Sequence, residues 1–90
     1  MDLRDVSRAL SRQVNRLSFD TQAVDCVYNP LDYAIAPHTQ YLERYGTGPK
    51  KVLLIGINPG PWGMVQTGIP FGDVSMVKEW LGIEAPVRTP

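Results

Sequence analysis

From Gly56 to Gly72 the chain reads GINPGPWGMVQTGIPFG, a stretch whose residue types favour binding chemistry over regular structure. Glycines at 56, 60, 63, 68 and 72 allow positive φ or close approach of a ligand to the main chain, and prolines at 59, 61 and 70 stiffen what lies between them. A stiff, glycine-spaced loop holds its backbone N–H groups in a fixed array, which suits an anion or the polar edge of a flat ring. Asn58 heads the loop as a polar group that either caps the turn before Pro59 or faces a ligand. Phe71 and Trp62 are either packing residues or an aromatic wall, and Gln66 and Thr67 can hydrogen-bond within the loop. Two familiar phosphate-binding patterns are absent: no Gly-Lys-Ser/Thr follows, as a Walker A loop requires, and no G-x-G-x-x-G fingerprint occurs.

The flanking elements must position this loop. Lys51 to Ile57 (KVLLIGI) is apolar at nearly every position without alternation, which predicts a central parallel strand buried on both faces. Ligands of open α/β sheets bind at the carboxyl ends of such strands, where Asn58 begins. Downstream, Asp73 is the expected N-cap of a helix through Leu81, stopped by Gly82, with Val74, Val77, Trp80 and Leu81 facing the core.

Upstream, Leu3, Val6, Leu10, Val14 and Leu17 recur at spacings of 3, 4, 4 and 3, one face of an amphipathic helix within residues 1–20. Asp2 is its expected N-cap, with Asp5 favouring the positive end of the helix dipole. The opposite face carries Arg4, Arg8, Arg12 and Arg16, a basic stripe that is either solvated or set against phosphates. Ala23 to Tyr28 reads as a strand or an extended approach to Asn29-Pro30, residues 30–36 are ambiguous, and Pro37 opens a helix through Tyr45 that Gly46 closes. Tyr41, Leu42 and Tyr45 are expected on its buried side. This order of elements predicts the opening of an α/β fold whose sheet is not completed within these residues.

Composition narrows the function classes. With 90 residues, 43% of them apolar and 20% charged, the chain fits one globular domain at most. Nine basic residues balance nine acidic ones, which excludes a generally basic nucleic-acid binder but leaves room for a local basic face. The single cysteine, Cys26, excludes an internal disulfide and any cysteine-ligated zinc or iron–sulfur site within this chain, and is expected as a small buried residue. No metal and no cofactor are expected. No apolar run approaches the roughly 20 residues that cross a bilayer, and the charged N-terminus does not read as a secretory signal, so a soluble intracellular protein without membrane partners is expected.

The loop GINPGPWGMVQTGIPFG resembles the first active-site motif of the single-strand-selective monofunctional uracil-DNA glycosylases, family 3 of the uracil-DNA glycosylase superfamily. The flanks VYNPLDYAIAPHTQYLERYG and DVSMVKEWLGIEAPV are similar to the same family, so the resemblance runs from about Val27 to Val87. It implies the three-layer α/β/α glycosylase fold with a central parallel sheet, of which residues 1–90 would be one incomplete, N-terminal portion and residues 51–72 the central strand plus active-site loop. It also implies DNA repair by base flipping, with uracil or a related damaged base released from single- or double-stranded DNA and an abasic site left behind. The implied partner is lesion-bearing DNA, bound by a monomer, in a bacterial cytoplasm or a eukaryotic nucleus.

Residue by residue, the resemblance makes Asn58 the catalytic group that positions the attacking water. Phe71 would stack on the flipped base, and backbone around Ile57, Gly60 and Met64 would line the pocket. Trp62 stands where many family members carry phenylalanine. Lys50 and Lys78 are candidate DNA contacts, equally readable as solvated surface charges. His38, the only histidine, sits in an Ala-Pro-His-Thr context that does not match the family's catalytic His-Pro-Ser-Pro-like run. That run, the uracil-reading asparagine and the DNA-wedge segment are not found in these 90 residues.

The chemistry agrees with the residue types. Cleaving the glycosidic bond builds positive charge on the sugar and negative charge on the departing base, and one backbone N–H aimed at that anion is worth about 3–4 kcal/mol. If the sugar cation forms before water attacks, a neutral Asn58 that orients water suffices and no carboxylate base is needed. Two alternatives remain from the sequence: a truncated DNA- or base-binding module without catalysis, and a nucleotide-binding α/β fragment acting on a small molecule.

Overall fold

The computed structural model describes residues 2–90. Among them all regular structure is helical: α1 (Leu3–Val14), α2 (Pro30–Tyr33), α3 (Ile35–Tyr45), α4 (Met64–Thr67) and α5 (Val74–Glu79). This corrects the expectation of an α/β fold with a central parallel sheet, because no strand is present among the described residues. Lys51 to Ile57 runs as irregular chain, and Val52, Leu53, Leu54, Ile55 and Ile57 are each between 71% and 101% exposed. The physical reason is that a strand is a pairing: its N–H and C=O groups need a neighbouring ladder. No other described segment supplies one. Ala23–Tyr28, the other strand candidate, is a run of turns and coil. An apolar run without alternation reports only that the side chains are apolar, and partners decide whether they are buried.

The expected N-caps Asp2 and Asp73 are realised, but the helix expected to open at Pro37 begins at Ile35, and the helix expected to run through Leu81 ends at Glu79. Asp2 accepts from the backbone N–H groups of Arg4 and Asp5, and Asp5 accepts from the Asp2 N–H, completing a capping box. The Arg4 side chain, bonded to Asp2, and the Asp5 N–H together hold the Asp2 carboxyl down at about 2. Asn29 caps α2 through Leu31 N–H and reaches across to Ser11 and Asn15 at the end of α1. Gly46 ends α3, and Asp73 caps α5 through the N–H groups of Ser75 and Met76. Helix α5 stops at Glu79, and Gly82, at φ +68°, turns the chain back.

Burial follows contacts that periodicity does not reveal. Helix α1 turns Ser7 and Ser11 inward, while Leu3, Val6 and Leu10 remain about half exposed. Of the expected core face of α5, Val77 is buried and Leu81 packs beside it, but Val74 and Trp80 face outward. On α3 the buried residues are Pro37 and His38, with Tyr41 and Leu42 half-buried and Tyr45 exposed. Cys26 is exposed rather than buried. The core gathers Ile69, Val77 and Ile83, with Tyr41 and Leu81 against it, while Leu31, Tyr33 and Ala34 are buried around the α2–α3 junction. The chain after α5 is strapped to the helices by polar contacts: Tyr45 Oη donates to Leu81 O, the Arg44 guanidinium to Gly82 O, and the Arg88 N–H to Tyr33 O.

His38 joins three parts of the molecule. Its Nδ1 lies 2.7 Å from Gly68 O and its Nε2 2.8 Å from Ser7 Oγ. Burial pushes the imidazole below its ordinary pKa, opposed in part by the bond to Gly68.

Two expectations follow from this packing. Ile69→Ala should cost about 2–4 kcal/mol in urea unfolding, whereas Leu54→Ala should change stability by less than about 0.5 kcal/mol, because only the first leaves a cavity. The folded state favours neutral His38, so the unfolded chain binds the extra proton below about pH 6.5, and stability should fall as pH drops through that value toward the folded pKa. His38→Gln should flatten that part of the pH profile of the urea midpoint.

Candidate functional site

The loop from Asn58 to Gly72 is held from both ends by its own main chain. Gly60 O accepts from the N–H groups of Gly63 and Val65, and Gln66 Nε2 donates to Pro61 O. These bonds set up the single turn of α4, a helix within the loop that the sequence reading did not foresee. Helix α4 ends at Gly68, in the left-handed region at φ +72°, whose N–H bonds to Met64 O. A Cβ at Gly68 would lie 2.5 Å from Ala34 O, so glycine is required by space as well as by φ. The hydroxyl of Thr67 bonds to Gly72 O at 2.7 Å and accepts from Ile69 N–H, and Gly72 N–H bonds to Ile69 O.

This clamp carries Phe71, which sits at φ +57°, the one non-glycine residue with positive φ among those described. Bulky side chains rarely adopt this conformation, which costs roughly 1–2 kcal/mol. The ring is 66% exposed, and its edge lies over Gly56, where a Cβ would come within 3.3 Å of Cζ. Gly56 therefore leaves room for the ring beside the segment that leads to Ile57 and Asn58.

Asn58 is exposed, and its Nδ2 donates to Pro59 O at 2.9 Å. That bond orients the amide and leaves Oδ1 without a partner among the described residues, able to accept from a water. Ile57 projects fully into solvent, and Gly60 and Met64 are half-buried. The N–H groups of Asn58, Gly60, Trp62, Met64 and Phe71 form no hydrogen bond among the described residues, so five main-chain donors of the loop have no protein partner there. Trp62 is exposed and packs against little.

The remaining predicted positions are peripheral. Lys78 lies in the last turn of α5 with Glu84 at 3.6 Å, an exposed pair of small energetic worth. Lys50 is exposed at the start of the irregular segment. In the basic stripe, Arg4 is engaged by Asp2 and by Glu43 of α3. Cavities of about 450 Å³ beside α2 and about 480 Å³ beside α5 include neither Asn58 nor Phe71, and the second is bordered by Gln66 and Thr67 of the loop. No group of metal-ligating side chains occurs among the described residues. Gln66 and Thr67 hydrogen-bond within the loop as expected, whereas sequence reasoning missed the supporting roles of Ser7 and His38, whose signal lies in three-dimensional contacts rather than spacing.

The similarity to known proteins can be set beside this geometry. The single-strand selective monofunctional uracil DNA glycosylase of Bos taurus is 54% identical over 81 residues, and that of Mus musculus 52%. The Rattus norvegicus protein of the same name is 51% identical. This chain is homologous to part of those glycosylases. The matched region covers 90% of this chain and 29% of each glycosylase, so the chain spans less than a third of the relatives' length. A match of 81 residues in a chain of 90 must include residues 10–81, hence the whole loop from Gly56 to Gly72. No protein-family model matches the chain. No helix among the described residues is long and apolar enough to cross a membrane.

The strain at Phe71 yields a test that is independent of activity. Phe71→Gly should be about 1 kcal/mol more stable than Phe71→Ala in urea unfolding, because both lose the exposed ring but only glycine relieves the left-handed backbone.

Proposed function

We propose that these 90 residues are the N-terminal portion of a single monofunctional uracil-DNA glycosylase domain that excises uracil from DNA. The identity of 51–54% over 81 residues, a match that includes the whole Gly56–Gly72 loop, carries the reading. In this proposal the target nucleotide is flipped out of a duplex or taken from a single strand, since the glycosidic bond of a stacked base is inaccessible. The Phe71 ring stacks on the uracil, a contact worth about 1–3 kcal/mol per base. Backbone around Ile57, Gly60 and Met64 lines the pocket, meets the base's carbonyl edge and stabilises the developing anion. The unpaired Oδ1 of Asn58 holds the water that attacks the sugar cation, so the products are free uracil and an abasic site.

Lys50 and Lys78 contribute phosphate contacts. Such contacts make binding fall with rising salt. The protein acts as a monomer inside the cell, where its DNA substrate is found, and needs no metal or cofactor for this hydrolysis. Stacking alone does not separate uracil from cytosine, so discrimination between bases requires a further group that reads the Watson–Crick edge.

The test is uracil release from an end-labelled oligonucleotide, with alkali to reveal abasic sites. It should be run on this chain and on a chimera in which it replaces the matching residues of the bovine glycosylase. Asn58→Ala should lower excision by the chimera at least about 100-fold while leaving binding to uracil-containing DNA unchanged. Undiminished excision by that variant would remove Asn58 from the mechanism. Salt-sensitive DNA binding without excision by the unmutated chimera would favour a non-catalytic binding module instead.

A further inference from the structure

We propose that His38 is a positioning residue for Phe71, acting as a neutral tether whose tautomer is set by the Gly68 carbonyl and whose far side is bonded by Ser7. The role of the ring in base stacking rests on the glycosylase reading above; the tether itself does not. His38 is 5% exposed, and its two ring nitrogens meet different partners. Gly68 O can only accept, so Nδ1 carries the proton and donates at 2.7 Å. Nε2 of the neutral ring is then an acceptor, and the Ser7 hydroxyl, 2.8 Å away on α1, donates to it. One imidazole thus joins α1, α3 and the left-handed end of α4.

What the tether holds is the clamp that carries Phe71. Gly68 lies between Thr67 and Ile69, the two residues whose hydroxyl and backbone groups hold Gly72. Phe71 is the residue immediately before Gly72, in a backbone conformation that persists only where its surroundings over-determine it. Thr67 secures the clamp from within the loop. His38, with the close seat of Gly68 on Ala34, secures it to the helices. Removing the donor at Nδ1 leaves a buried carbonyl unpaired and frees one side of the turn.

The experiment uses His38→Leu, which removes both bonds, His38→Asn, whose amide can reach the Nδ1 position, and Ser7→Ala, a milder change that keeps the imidazole. Nitrogen NMR should show a single Nδ1-protonated tautomer in the unmutated chain and in Ser7→Ala alike, because the Gly68 carbonyl only accepts. Amide hydrogen exchange at Gly72 should accelerate about tenfold in His38→Leu and return to within about threefold of the original in His38→Asn, as expected for one hydrogen bond. The amides of Val77 and Trp80 in and after α5 should stay unchanged. Equal acceleration at Gly72, Val77 and Trp80, or no recovery with asparagine, would make His38 a general stabiliser and overturn the proposal. A Nε2-protonated ring would overturn it as well. If His38→Leu does not fold, His38→Gln, whose amide reaches the Nε2 position but not Nδ1, decides: faster exchange at Gly72 alone supports the tether, and unchanged exchange refutes it.

In the bovine chimera, His38→Leu should raise KM for uracil-containing single strands about tenfold, with His38→Asn restoring it. An unmutated chimera without excision refutes the glycosylase reading and leaves the exchange result standing. An active chimera whose KM ignores His38→Leu refutes the positioning of Phe71.

Discussion

The seat of Gly68 on the α2–α3 junction is the constraint from which the rest of the structure is set. Ala34 is completely buried, and its carbonyl and methyl stand so close to Gly68 that no side chain fits between them. The left-handed φ of Gly68 ends α4 and turns the chain so that Ile69, also completely buried, enters the core with Val77 and Ile83. In one step the same residue stops a helix, places a core side chain and starts the turn that carries Phe71. A bulkier residue on either side of the contact would move the loop and the core together.

Around this seat the molecule relies on polar contacts with named partners more than on apolar volume. His38, Thr67 and Ser11 are buried, and each meets hydrogen-bonding groups from another part of the chain or loop. Tyr33 Oη donates to Val65 O, tying α2 to α4, and the Tyr45 and Arg88 contacts hold the chain after α5 against the helices. A small chain buries a smaller fraction of its surface than a large one. Here several apolar side chains of α1 and all those from Val52 to Ile55 remain outside. Directional bonds then fix which arrangement is adopted, because a buried donor or acceptor left unpaired costs more than the bond itself contributes.

The sequence was most informative where physics is local. Asp2 and Asp73 cap helices because a short oxygen-bearing side chain next to free N–H groups has one good solution. Gly46 marks the stop of α3 for an equally local reason, whereas α5 ends at Glu79, ahead of Gly82. The loop at 56–72 was also legible, since its glycines and prolines exclude long regular elements whatever surrounds them. The segment KVLLIGI was not, because burial on two faces is supplied by other strands and leaves no mark of its own in the residues it acts on. Cys26 and the outward face of α1 failed in the same way: small or apolar residues permit burial but do not cause it. His38 was set aside because its neighbours match no catalytic motif. Its partners, Ser7 and Gly68, lie 31 and 30 residues away in sequence.

Phe71 brings these strands of reasoning together. A phenylalanine normally offsets an unfavourable backbone by burying its ring, yet this ring is mostly in solvent. The residue therefore combines a conformational cost with little compensating burial, and glycine at the same place would relieve the backbone. The surroundings hold it there nonetheless: Thr67 and Ile69 fix Gly72 on one side, Gly68 is seated on Ala34, and Gly56 leaves space beneath the ring. Strain that the neighbours enforce while the side chain gains little is the pattern expected where the side chain's contact is made with something other than the protein. A flat base is the kind of partner that an exposed, rigidly aimed aromatic ring suits, because the stacking energy is realised only when the ligand arrives. On the proposed reading, the loop gives up stability in the free protein so that the ring need not be ordered at the moment of binding.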